Sequence, residues 1–232
     1  MNIIVTGGTK GIGFSIIEVF ASKGFDIITC ARNGDELEQL KVSLVAKYPA
    51  IKVFAQVCDM GNKGQVRDFS DAIAEKFNTI DVLVNNAGVF MPGSIAEEAD
   101  ETFETIMNIN IGGSYHITRG LLPIVKKTKF SHIFNICSTA SITAHSNGGS
   151  YSISKFALLG FSKILREELK AYGIKVTSVL PGATLTHSWA GTTLPPQRFM
   201  QPHEIAEAIW SCYNLKTVVV EELVMRPQLG DI

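Results

Sequence analysis

The chain has 232 residues, 46% of them hydrophobic, and a formal net charge of −1 because 21 basic side chains oppose 22 acidic ones. This length suits one domain with a sizeable core, and we treat residues 1–232 as a single unit. The balanced charge gives no basic field for nucleic acid. The cysteines form no CxxC pair and the histidines lack ligand spacing, so we expect reduced thiols and no metal. With no bilayer-length apolar stretch and no recognisable signal sequence, we expect a soluble cytoplasmic protein without a membrane partner.

Short apolar and β-branched runs alternate with helical patterns along the whole chain. The runs predict strands at 2–6, 26–31, 51–57, 80–85, 132–138, 174–180 and 217–225. The segments between them predict helices at 11–24, 33–48, 63–77, 101–126, 151–171 and 202–214. Most strand runs are continuous, which indicates burial on both faces. The order predicts an α/β protein with a single-domain doubly wound Rossmann fold, whose mainly parallel seven-stranded sheet carries helices on both faces.

The segment TGGTKGIG at 6–13 follows the first strand and opens the first helix. The free N–H groups of a helix start, together with its positive dipole end, suit a pyrophosphate. Gly7, Gly11 and Gly13 lack a Cβ, so that backbone can approach a ligand and the helix can approach the strand. The spacing is TGxxxGxG rather than GxGxxG. We predict nucleotide binding here, and an ordinary glycine-rich turn is the alternative.

The end of the second strand indicates which dinucleotide is preferred. An NAD site places an acidic residue near this point to hold the ribose hydroxyls. Here Ala31 and Arg32 stand in its place, and an arginine suits a 2′-phosphate. Lys10 in the glycine loop adds a second cation. We therefore predict NADP(H). The second helix opens with Asn33 and Glu36 in a capping-box pattern.

The segment YSISK at 151–155 carries the predicted chemistry. Tyr151 and Lys155 are four residues apart and therefore share a helix face. A nearby ammonium stabilises a phenolate over a phenol, so that Tyr151 can exchange a proton with a carbonyl or alcohol oxygen. Ser138 ends a predicted central strand and can hold the same oxygen. His145, between Ser138 and Tyr151, is a candidate substrate contact; a plain amphipathic helix is the alternative for YSISK.

These motifs, taken together and in order, resemble the compact subfamily of the short-chain dehydrogenase/reductase family, which carries TGxxxGxG and YxxxK. The resemblance extends over essentially the whole chain. Besides the glycine loop and YSISK, it includes CDM at 58–60, NNAG at 85–88, NINIGG at 108–113 and PGATLT at 181–186. Cys137 stands where relatives often have serine, and we interpret it as a packing residue rather than a nucleophile.

The resemblance implies an enzyme that interconverts a small-molecule carbonyl and a secondary alcohol. Tyr151 is then the general acid/base, and Lys155 activates it and holds the nicotinamide ribose. Ser138 orients the substrate oxygen, and Asn110 keeps a water that relays protons through Lys155. The implied cofactor contacts are Gly7, Thr9, Lys10, Gly11, Ile12, Gly13, Arg32, Asp59, Met60, Asn86, Ala87, Gly88, Tyr151, Lys155, Pro181, Gly182, Thr184 and Thr186.

Relatives also imply a homodimer or homotetramer, with helices near 101–126 and 151–171 at the interface. A non-catalytic NADP-binding redox sensor is the alternative function, although such a protein has no need of the tyrosine. An extended-subfamily epimerase has another glycine spacing, and an enoyl reductase spaces its tyrosine and lysine more widely. Residues 186–202 contain two adjacent prolines that forbid a long helix, so this segment is either a connection or a lid.

Overall fold

A seven-stranded parallel sheet forms the centre of the molecule, in a computed structural model that describes residues 1–232. The strands are β1 (Asn2–Thr6), β2 (Asp26–Ala31), β3 (Val53–Val57), β4 (Val82–Asn85), β5 (His132–Ile136), β6 (Lys175–Pro181) and β7 (Glu222–Met225). Their order is β3-β2-β1-β4-β5-β6-β7, and every neighbouring pair is parallel. The predicted doubly wound Rossmann fold is confirmed.

Helices cover both faces of the sheet. They are α1 (Gly11–Ser22), α2 (Gly34–Lys47), α3 (Lys63–Lys76), α4 (Thr102–Met107), α5 (Ser114–Val125), α6 (Gly149–Leu169) and α7 (Pro202–Asn214). On β1, Ile3 and Val5 belong to a buried cluster with α1, α2 and α7. Ile4 points to the opposite face and belongs to a second cluster with α3, α5 and α6. The alternation of a strand buried on both faces therefore gives the molecule two cores.

The strand order creates a crevice at one edge of the sheet. The chain winds outward from β1 to β3, then returns to place β4 on the other side of β1. The loops after β1 and β4 consequently leave the sheet in opposite directions. In open parallel sheets, ligands bind at this reversal, beyond the carboxyl ends of the strands.

Four predicted strands, β3, β4, β5 and β7, are shorter than their apolar runs, and side-chain hydrogen bonds lie at the start of two of them. The ladder between β6 and β7 begins where the Ser178 N–H donates to the Glu221 carbonyl at 2.9 Å, and one residue earlier the Val220 carbonyl accepts the Thr177 hydroxyl at 2.6 Å. Before β3, the backbone N–H of Lys52 donates to the carboxylate of Asp26 at 2.7 Å. In both places a side-chain hydrogen bond holds the backbone where the ladder begins.

The predicted helix at 101–126 is interrupted by a π-helical segment, Asn108–Gly113. This wider turn carries the chain past the segment that follows β3. A Cβ on Gly113 would lie 2.5 Å from the Met60 carbonyl oxygen, so the close approach depends on glycine. Such π segments are frequent at functional sites, and this one contains Asn110.

Candidate active site

A single large cleft of about 1220 Å³ lies beyond the carboxyl ends of the strands. Its walls come from the glycine loop, the ends of β2, β4, β5 and β6, the start of α6, and the segment after β6. All but two of the predicted site residues line it. The exceptions are Gly13 and Asn110, which are buried behind the wall. The sequence motifs therefore converge on one place.

The glycine loop forms a backbone cradle at one end of the cleft. Gly7 and Gly11 have φ angles of +68° and +57°, in the region that favours glycine. A Cβ on Gly13 would overlap the Gly7 carbonyl oxygen, so Gly13 lets α1 pack against the loop and does not face the cleft. The first turn of α1 has no acidic residue and no side-chain cap. Its N–H groups and positive dipole end suit a pyrophosphate.

The NNAG segment is fastened to the glycine loop by hydrogen bonds. The side-chain amide of Asn86 donates to the carbonyls of Thr6 and Gly7, at 2.9 and 3.0 Å. The Thr6 hydroxyl accepts from the backbone N–H groups of Asn86 and Ala87, both at 3.0 Å. The floor of the cleft between β1 and β4 is thus a connected polar network.

The end of β2 places cations and one carboxylate together. Arg32, Lys10 and Glu36 all line the cleft, and the Lys10 ammonium contacts Glu36 Oε1 at 2.7 Å. Asn33 does cap α2, because its Oδ1 accepts the N–H groups of Asp35 and Glu36. The reciprocal half of the predicted capping box is wrong: Glu36 Oε1 accepts from Lys10 Nζ and, at 3.4 Å, from the Asn33 side-chain amide, and not from the Asn33 backbone N–H. The contact with the Lys10 ammonium holds the pKa of Glu36 below its usual range.

Tyr151 and Lys155 project from the first turns of α6 into the cleft. The Lys155 ammonium lies 5.7 Å from the centroid of the Tyr151 ring. Lys155 is buried, and its Nζ donates to the carbonyl of Ile136 at 2.9 Å. An ammonium has three donors, so two remain for groups in the cleft. Lys155 is therefore anchored to the end of β5, and its remaining donors lie beside Tyr151.

Ser138 follows β5 and enters the same cleft. Its Oγ accepts the N–H of Ala140 at 3.1 Å, and its own N–H donates to Ser141 Oγ at 3.2 Å. These bonds cap the short turn Thr139–Ser141 and fix the serine side chain. Because the hydroxyl accepts at its oxygen, its proton stays free for a substrate oxygen. Ser138 is therefore held ready as a donor.

Asn110 is fully buried and supports the cleft from behind. Its Oδ1 accepts the N–H of Val89 at 2.8 Å, and its Nδ2 donates to the Val89 carbonyl and to Ser154 Oγ, both at 3.0 Å. The Ser154 hydroxyl in turn donates to the Tyr151 carbonyl at 2.7 Å. The Asn110 side chain thus ties the segment after β4 to the helix that carries the tyrosine.

Several lining residues were not singled out by sequence reasoning. The ring of Phe90 packs edge-on against Tyr151, with centroids 4.8 Å apart. Asn147, His187 and Trp189 also line the cleft, and so does His145, a candidate from the sequence. These residues belong to irregular loops, in which neither periodicity nor a motif marks a position as inward-facing. Their only signal was proximity in sequence to NNAG, to Ser138 and to PGATLT.

The segment after β6 lines the cleft as far as Trp189 and contains two short 3-10 turns, His187–Trp189 and Pro196–Arg198. Backbone bonds close its base: Leu185 N–H donates to the Met200 carbonyl at 2.9 Å, and Met200 N–H donates to the Ala183 carbonyl at 3.0 Å. Trp189 packs against buried Phe199, with ring centroids 5.0 Å apart. As predicted, no long helix forms across the prolines.

The cleft also contains a cysteine, Cys137. Burial raises the pKa of the Cys137 thiol to about 11, in line with the packing role expected for it.

No group of three or more His, Cys, Asp or Glu side chains is arranged to hold a metal ion. None of the helices combines the length and the apolar character that crossing a bilayer requires.

Comparison with known proteins agrees with this geometry. A family model described as short chain dehydrogenase matches residues 1–195. Sepiapterin reductase from Chlorobaculum tepidum is 31% identical, with 99% of this chain and 97% of that protein covered. The chain belongs to the short-chain dehydrogenase/reductase family, a family of oxidoreductases.

Solved structures give the same result. An alcohol dehydrogenase from Thermococcus sibiricus, complexed with 5-hydroxy-NADP, superposes with a TM-score of 0.92 at 26% identity, covering 100% of this chain and 98% of that one. L-sorbose reductase from Gluconobacter frateurii, complexed with NADPH and L-sorbose, has a TM-score of 0.90 at 26% identity, covering 97% and 95%. The similarity therefore extends over the whole fold.

Proposed function

We propose that this protein is an NADP(H)-dependent oxidoreductase that interconverts a carbonyl and a secondary alcohol. The observation that carries the proposal is the meeting of a glycine-loop cradle with Tyr151, buried Lys155 and Ser138 in one cleft. Similar proteins whose names state a reductase or an alcohol dehydrogenase, two of them complexed with NADP-type cofactors, support the same reading.

The cofactor would lie along the cleft from the end of β2 to the start of α6. The N–H groups of the glycine loop and of the α1 terminus would hold its pyrophosphate. Asp59 and Met60, which line the cleft, would contact the adenine, and Pro181, Gly182, Thr184 and Thr186 would contact the nicotinamide end. When bound, NADPH supplies the hydride, and its oxidised form accepts one. Everything else in the reaction is done by side chains of this chain.

Proton transfer takes place at the substrate oxygen, and the side chains of Ser138, Tyr151 and Lys155 carry it out. Ser138 donates a hydrogen bond to the carbonyl oxygen and so orients it toward Tyr151. The Tyr151 hydroxyl gives its proton to that oxygen during reduction and takes one from the alcohol during oxidation. The Lys155 ammonium stabilises the phenolate that results. Asn110 contributes by holding Val89 and Ser154 in place, and a water relay toward Lys155 remains part of the proposal.

The experiment that tests this function is a substrate panel with NADPH and the purified protein. The panel spans 3-oxoacyl thioesters, ketosteroids, quinones, sugars and simple aldehydes, and NADPH oxidation is followed by absorbance. Oxidation that depends on a carbonyl supports an enzyme. NADPH binding without turnover on any member would favour the redox-sensor alternative.

We expect Arg32→Asp to erase or reverse a preference for NADP over NAD. Arg32 lines the cleft where a 2′-phosphate would lie, and the remaining cation, Lys10, is already paired with Glu36. Losing a charge-assisted contact costs about 1.5–3 kcal/mol, roughly a tenfold to 150-fold weaker NADP affinity. Calorimetric titration with both dinucleotides measures this. Arg67→Asp, an equal charge change on exposed α3, is the control. Equal wild-type affinity for NAD and NADP would refute the assignment.

We further propose a homodimer or homotetramer formed through the outer surfaces of α4, α5 and α6. Phe103, Tyr115, Phe156 and Ile164 are exposed large apolar residues on these helices. Light scattering should give a multiple of the 25.2 kDa chain mass. Phe156→Glu should lower that mass, whereas Val42→Glu, at an exposed apolar position on α2, should leave it unchanged. A wild-type protein that is monomeric at micromolar concentration would contradict the proposal.

A further inference from the structure

The helix that carries Tyr151 begins without a cap of its own. Its N-cap is Gly148, which has no side chain, and its first turn contains no acidic residue. The first N–H groups of any helix lack partners within the helix and need acceptors from elsewhere. Tyr151 is the third residue of α6, so the unpartnered turn is the one that sets the position of its ring.

Glu98 supplies the missing acceptor from a distant segment. One carboxylate oxygen accepts the backbone N–H of Ser150 at 2.9 Å, and the other accepts the Ser150 hydroxyl. Ser150 is buried and immediately precedes Tyr151. A carboxylate at a helix N-terminus is also favoured by the helix dipole. Glu98 therefore acts as a cap that comes from the loop between β4 and α4.

The backbone around this contact is shaped to admit the carboxylate. A Cβ on Gly149 would overlap Glu98 Oε1 and would lie 2.7 Å from the Gly93 carbonyl oxygen. Gly93 N–H donates to the Asn147 carbonyl at 3.2 Å, and Gly93 pairs with Gly148 in an isolated parallel bridge. The segments 93–98 and 147–150 are thus docked together at glycine positions.

The docked segment reaches the tyrosine ring as well as the helix start. Phe90, a few residues before Gly93, packs edge-on against Tyr151, and Val89 beside it is bound by Asn110. Tyr151 is consequently held through its backbone by the Glu98 contact and through its ring by Phe90. Lys155 is held separately, by the Ile136 carbonyl.

We propose that Glu98 is a positioning residue for Tyr151: its carboxylate caps α6 in trans and fixes the orientation of the tyrosine toward the substrate. The proposal rests on the function proposed above, because it presumes that Tyr151 transfers the proton. Glu98 does not line the cleft, so its effect passes through Ser150 and the first turn of α6.

The test compares Glu98→Ala, Glu98→Gln and the control Glu97→Ala. Glu97 neighbours Glu98 but bonds only to Ser94 within its own loop. Because misplacing a catalytic group by about 1 Å can cost about a hundredfold, we expect Glu98→Ala to lower kcat about tenfold to a hundredfold. NADPH affinity should stay within about twofold, since Lys155 keeps its own anchor. Glu98→Gln retains an acceptor for Ser150 N–H and should recover to within about threefold of wild-type kcat.

Amide hydrogen exchange at 148–152 provides a readout that does not depend on turnover. It should accelerate in Glu98→Ala and remain unchanged in Glu97→Ala. Equal exchange and equal kcat in the two alanine variants would overturn the proposal. So would a parallel loss of kcat, NADPH affinity and melting temperature with no recovery in Glu98→Gln, because that pattern indicates a general folding role. If instead the proposed function fails, the wild type itself does not oxidise NADPH, and exchange still decides whether Glu98 holds the helix start.

Discussion

Replacing Tyr151 with phenylalanine should lower turnover by about 10²–10⁴-fold, the range that general acid/base catalysis contributes. The substitution removes only the hydroxyl. The ring keeps its edge-on contact with Phe90, 4.8 Å between centroids, so the cleft should keep its shape. NADPH affinity should therefore change by no more than about twofold. Steady-state rates and calorimetric titration measure the two effects separately.

The matched control is Tyr115→Phe. Tyr115 lies on the outer side of α5 against Phe161 and does not line the cleft. Losing its hydroxyl should leave turnover unchanged. If Tyr151→Phe reduces carbonyls at a near wild-type rate, Tyr151 has no part in proton transfer, and YSISK is an ordinary helix start.

Lys155→Ala should damage turnover and cofactor affinity together. The buried ammonium is anchored by the Ile136 carbonyl and lines the cleft with Tyr151, so its two remaining donors are available to the tyrosine and to a cofactor ribose. Loss of a charged hydrogen bond to the ribose costs about 1.5–3 kcal/mol, roughly tenfold to 150-fold in NADPH affinity. Loss of phenolate stabilisation lowers kcat in addition. Stopped-flow binding and steady-state kinetics separate these contributions.

Lys163→Ala is the control on the same helix, where the exposed ammonium pairs with Glu222. It should change neither quantity. Because Lys155 acts through Tyr151, the double variant should lose much less than the product of the two single losses. Multiplicative losses would contradict a shared proton-transfer unit, and an unchanged NADPH affinity in Lys155→Ala would remove the ribose contact from the proposal.

The fold was predictable because local signals and global topology agree. Continuous apolar runs marked strands buried on both faces, and their alternation with helices left one leading topology. The errors lie where tertiary contacts override local pattern. Val220 continues an apolar run, yet its carbonyl accepts the Thr177 hydroxyl, and backbone bonding to β6 begins at the next carbonyl, that of Glu221. The π segment at 108–113 likewise depends on packing against Met60.

The candidate site likewise contains residues that the sequence predicts and residues that only long-range contacts place. Residues in motifs, such as Ser138 and Tyr151, stand at strand ends or helix starts, so the topology alone brings them to one edge of the sheet. Glu36 and Glu98 could not be placed from sequence, since their partners lie 26 and 52 positions away. Long-range ion pairs and trans caps leave no periodic signal, so only the folded structure reveals them.

Hydride transfer from NADPH to a carbonyl carbon, with Tyr151 supplying the proton, is tested most directly by isotope transfer in a single turnover. The protein is mixed with NADPH deuterated at the transferred position and with a carbonyl that it reduces, and the product is analysed by mass spectrometry. We expect one deuterium on the carbinol carbon of each product molecule, and product formation at least about a hundredfold slower in Tyr151→Phe. Product without deuterium, or equal rates in the two proteins, would contradict it.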